Sequence, residues 1–154
     1  MDVPTHIISV NWHRHRELVV GEETAYELVL RRLGALDGTL IWSVGLWPLP
    51  EGASLDQLDT VRSPEYMQSA GSARRMSIEV RWYETDDVLR HYVVGREGGA
   101  ETGEPGEEIP YTTNVTRVFP HEVFDAEEAA GVYEHYYETG NVPPGYSLRF
   151  LDLV

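Results

Sequence analysis

Near the start of the chain, His13-Arg14-His15-Arg16-Glu17 carries the sharpest chemical possibility in the sequence. On an extended strand, residues two apart point the same way, so two imidazoles and a carboxylate can converge on one divalent ion while Arg14 and Arg16 take the opposite face. A solvated strand end or hairpin tip gives the same pattern with no metal, and so short a spacing specifies an ion poorly. The expectation is no metal and no cofactor. The alternative is a small metal-dependent or small-molecule enzyme using His13, His15 and Glu17.

Other routes to catalysis are thin. The chain has no cysteine, which removes disulfides, thiolate metal sites and a cysteine nucleophile together. All twelve basic residues are arginine, which removes a Schiff-base lysine and a Walker-type phosphate loop. His91, His121 and His135 are scattered, and each could act as a general base only if the fold brought it to a pocket. No Gly-x-Ser-x-Gly, His-Glu-x-x-His or glycine-rich phosphate fingerprint occurs. The paired acids Asp86-Asp87, Glu107-Glu108 and Glu127-Glu128 diverge on either a strand or a helix, so they read as solvated charge and helix capping. The chain is expected not to be an enzyme.

Charge points instead to binding. The 154 residues carry a formal net charge of -14. Residues 1–77 hold 7 Arg against 10 acids (-3), and residues 78–154 hold 5 against 16 (-11). Such a field repels nucleic-acid backbones and accelerates association with a basic protein. Direct nucleic-acid binding is therefore not expected. The N-terminus lacks the basic-then-apolar pattern of a secretory signal and no stretch approaches membrane-spanning length, so a cytoplasmic protein with no membrane association is expected. With 42% hydrophobic residues, one folded domain over 1–154 is expected.

Periodicity supplies the elements that must position these residues. Alternation predicts strands at 6–12, 39–47, 76–84 (Met76, Ile78, Val80 and Trp82 on one face), 88–94, 111–119 and 146–153. Helical spacing predicts a helix over 22–33 and another from Asp125 to Gly140, with Glu128 as the capping partner of Asp125 and Ala129, Val132, Tyr133 and Tyr136 as its buried stripe. Residues 51–75 read as a loop with a helical turn around Leu55, Leu58 and Val61. Residues 95–108, glycine-rich with five glutamates, read as an exposed loop. The order implies an α+β domain, a mainly antiparallel sheet with two principal helices on one face.

From Tyr111 onward the run YTTNVTRVFPHEVFDAEEAAGVYEHYYETGNVPPGYSLRFLDL resembles the C-terminal third of a bacterial immunity-protein family of polymorphic toxin systems, often encoded beside deaminase toxins. The features are a strand with Tyr111 and Thr113, a turn at Phe119-Pro120, a helix ending Tyr137-Glu138-Thr139-Gly140, and Val142-Pro143 before a closing strand. The last strand departs from the family, reading Leu148-Arg149-Phe150-Leu151-Asp152 where a Val-x-Trp is common. The resemblance implies an inhibitor that occludes the active or nucleic-acid-binding surface of a basic toxin domain, and it transfers no catalytic residue. Joined with the charge, it gives an expected partner surface of Tyr83, Glu84, Asp86 and Asp87 at a hairpin tip and Glu101, Glu104, Glu107, Glu108 and Tyr111 along the long loop, with acids steering and aromatics anchoring.

Overall fold

A computed structural model describes residues 5–50 and 63–152. The helical turn expected at Leu55, Leu58 and Val61 lies outside them. β1 (His6–Val10) and β2 (Arg14–Leu18) form a hairpin, so the first strand ends before Trp12. Asn11 and Trp12 adopt φ of 54° and 63°, and two consecutive left-handed residues reverse the chain. Helix α1 (Ala25–Leu33) starts later than its acidic lead-in suggests, because Thr24 is the cap: its side chain accepts from the Glu27 amide, and the Glu27 carboxylate reaches back to Thr24. β3 (Ser43–Pro48) is delayed by Asp37, whose carboxylate accepts from the Thr39 and Ile41 amides and folds 37–41 into a turn.

β4 (Tyr66–Ser72) replaces part of the expected loop. Its Gln68-Ser69-Ala70-Gly71-Ser72 run has little strand propensity, and pairing with β3 on one side and β5 (Arg75–Thr85) on the other holds it extended. β6 (Val88–Arg96) returns beside β5. The single strand expected at 111–119 is two: β7 (Glu107–Tyr111) and β8 (Asn114–Val118) fold over a turn in which Thr112 has φ 54°. Helix α2 (Ala126–Thr139) is capped by Asp125, which accepts from the Glu128 amide at 2.9 Å. Glu128 does not reciprocate, since its carboxylate takes two nitrogens of Arg96 instead. Gly140 closes the helix at φ 76°. β9 (Tyr146–Leu151) ends the fold.

Seven strands make one antiparallel sheet in the order β2-β1-β3-β4-β5-β6-β9, with β7-β8 as a separate hairpin. Both helices pack on one face, over a core that includes Ile8, Val29, Leu33, Leu46, Met67, Met76, Ile78, Val80 and Val94. The stripe Ala129, Val132, Tyr133 and Tyr136 is buried as its spacing implies. Fully buried Tyr133 donates to Ser69 Oγ at 2.9 Å and lies 3.3 Å from the Val44 carbonyl, pinning α2 to the sheet centre. The β7-β8 hairpin covers part of the other face, where Ile109 and Val118 pack on Val93. Among the described residues no helix is long and apolar enough to cross a membrane.

Candidate binding groove

Strand register places two rows of side chains across the face of the sheet opposite the helices. Ser9, Gly45, Gln68 and Glu79 are successive cross-strand partners on β1, β3, β4 and β5. One step along, Ile7 faces Trp47, and Tyr66, Arg81 and His91 face one another across β4, β5 and β6. These rows floor a groove of about 600 Å³, with Trp12, Trp47 and Tyr66 as aromatic walls. Gly45 keeps the floor low: a Cβ there would stand 2.9 Å from Ser9 Oγ.

The polar end of the groove is tied together. Buried His91 has Nε2 at 2.5 Å from Glu79 Oε1 and Nδ1 at 3.5 Å from the Tyr66 hydroxyl. The Arg81 guanidinium stacks 4.7 Å over the Tyr66 ring while its Nε donates to the Pro64 carbonyl at 2.6 Å. Both imidazole nitrogens thus face protein groups, Glu79 closely and the Tyr66 hydroxyl at longer range. The arrangement is suited to holding a shape and offering hydrogen bonds at its surface.

Trp12 stands at the rim, 48% exposed. A left-handed backbone costs a large residue about 1–3 kcal/mol, and Asn11 offsets it. Its amide donates to the Leu40 carbonyl at 2.7 Å and accepts from the Trp42 and Ser43 amides at 2.8 and 3.2 Å. The Trp12 ring meets Trp42 edge-on at 4.8 Å, and Trp42 stacks on Tyr111 at 5.7 Å, so Tyr111 lies beside this cluster.

The other residues of the expected surface fall in two places. Tyr83 is exposed on the groove's side of the sheet, opposite Leu89 and next along the strand face from Arg81. Asp86 and Asp87 are exposed at the tip beyond it. Glu84 turns to the helix side, where it accepts from the Tyr92 hydroxyl and from Trp82 Nε1 at 3.0 Å, and these bonds hold its carboxyl below the usual range. The long-loop acids sit at the opposite end of β6, about 30 Å of strand away. Glu107 and Glu108 belong to β7 rather than to the loop and pair with Arg75 at 2.7 Å and Arg117 at 3.4 Å. Glu101 meets His121 at 3.1 Å, and Glu104 is exposed. One acidic surface on the sequence is two in the fold, and only the tip adjoins the groove.

The metal alternative is not assembled. His13 lies in the turn, exposed, while His15 and Glu17 share the groove's face of β2, with the His15 ring against Trp47 at 5.2 Å. Because the strand starts only at Arg14, the two-residue spacing does not carry all three donors to one point. Among the described residues the donors that do converge are Glu101, His121 and Glu122, within 4.8 Å. There, both Glu122 oxygens accept from Arg149, at 2.8 and 2.9 Å, and one also accepts from the Phe119 amide at 2.8 Å, so this carboxylate is already spoken for.

The groove residues Trp12, Trp47, Tyr66, Glu79, Arg81 and His91 were not grouped by the sequence, because register across β4 is needed to bring them together. Compared with protein-family models, curated proteins and solved structures, the chain gives no match.

Proposed function

We propose that the chain is an acidic binding protein that neutralises a basic toxin domain, with the sheet face opposite its helices as the recognition surface. The observation that most supports this reading is the aromatic groove whose rim carries Trp12 in a backbone conformation maintained at an energetic cost. Exposed aromatics beside a concave floor are the usual anchors of protein interfaces. The net charge of -14 supports fast capture of a basic partner, and the resemblance of 111–153 to toxin-immunity proteins supports the partner's class. Tyr83, Asp86 and Asp87 extend the groove toward solvent and would steer the approach. The loop acids Glu101, Glu104, Glu107 and Glu108 would contribute at longer range.

The test is the association rate with the basic C-terminal domain of a toxin encoded beside this chain. Raising salt from about 50 to 200 mM shortens the Debye length and should slow association by tenfold or more. Asp86→Lys with Asp87→Lys should slow it further than Glu104→Lys at the far end of β6. No association, or a rate indifferent to both salt and charge reversal, overturns the proposal.

A further inference from the structure

The histidines of the His13–Glu17 segment do not form a site, but the arginines between them lie beside a second pocket. Arg14 and Arg16 are cross-strand partners of Val10 and Ile8, which places them on the helix side of edge strand β2, about 7 Å apart. Arg32, in the last turn of α1, closes the other side. Together they border a pocket of about 460 Å³, lined also by His15 and by the apolar Ile8, Val10, Ala35 and Ile41.

The setting is unusual for this chain. Arg62 lies outside the described residues, and of the other eleven arginines, Arg31, Arg75, Arg96, Arg117 and Arg149 are in carboxylate ion pairs. Arg81 and Arg90 lie over aromatic rings. Four remain, Arg14, Arg16, Arg32 and Arg74, and three of these surround one concavity with no carboxylate partner among the described residues. With 26 acids in the chain, three neighbouring cations left facing a pocket offer a place for an anion from outside. The carboxyl end of α1 opposes an anion with about half a charge, which three guanidinium groups outweigh. Their planar forks fit a phosphoryl group, and the apolar wall fits a hydrocarbon or aromatic body attached to it.

We infer that the Arg14-Arg16-Arg32 pocket binds a small phosphate monoester with an apolar body. It lies across the sheet from the groove and does not depend on the toxin-binding reading.

Titration of the intact chain with phenyl phosphate, inorganic phosphate and phenol, followed by calorimetry, tests this. Phenyl phosphate should bind with Kd below about 1 mM, and the other two at least tenfold more weakly. Arg14→Ala, Arg16→Ala and Arg32→Ala should each weaken it about tenfold or more, while Arg74→Ala, outside the pocket, and Trp12→Ala, on the other face, leave it unchanged. All three pocket arginines are exposed, so these variants should fold. No binding of phenyl phosphate, equal binding of phenol, or indifference to the three arginine variants overturns the inference. Toxin-domain association should be unaffected by the same variants, so the two proposals fail separately.

Discussion

Trp12 and His6 show how single residues on β1 and its turn are constrained. The groove rim depends on Asn11, whose three hydrogen bonds to the 40–43 segment make a left-handed Trp12 tolerable. Sequence alternation alone runs straight through these two residues, since nothing in period-two patterning marks a positive φ, and the turn becomes visible only through the Asn11 partners some thirty residues away. His6 packs its ring 4.6 Å from Tyr137, and burial pushes its pKa down from 6.5 to about 4. Between those values the unfolded chain binds a proton that the folded chain refuses, so the neutral ring contributes stability above pH 6.5 that is lost as pH falls toward 4. The stability difference between the wild type and His6→Phe, measured by urea unfolding, should therefore shift in favour of the variant across that window. A constant difference would show that His6 titrates alike in both states.

At the scale of elements, periodicity was sufficient where large apolar residues alternate and insufficient where they do not. The Met76–Glu84 strand and the α2 stripe follow their patterns because one face of each is buried. β4 escaped because its small and polar residues take their conformation from the neighbours on both sides, and the β7-β8 hairpin escaped because its reversal at Thr112 lacks glycine. Edge strand β9 is held to the turn after β8 by the Glu122–Arg149 pair, with Glu122 fully buried and the guanidinium 5.1 Å over the Phe119 ring. Arg149→Leu leaves a buried carboxylate without its counter-charge and should cost about 3–5 kcal/mol, whereas Glu122→Leu with Arg149→Leu should cost much less. Denaturant midpoints of the two single variants and the double variant measure the coupling. A cost below about 1 kcal/mol for Arg149→Leu would mean that β9 does not rely on the pair.

Over the whole of the described residues, helices cover one face of the sheet and a groove crosses the other, while acids gather at both ends of β6 and along α2. The antiparallel class with two helices was legible from the order of strand and helix patterns. The site was legible only in part: Tyr83, Asp86, Asp87 and Tyr111 adjoin the groove or its aromatic rim, whereas its centre is built by register among five strands. The central claim is that this face grips a protein partner, and the equilibrium affinity of Trp12→Ala for the basic toxin domain proposed as that partner, beside the wild type at one salt concentration, tests it most directly. An anchor at the rim predicts a loss of about 30-fold or more in Kd, the hot-spot range, with the fold intact. An unchanged Kd in a folded Trp12→Ala protein would contradict the claim.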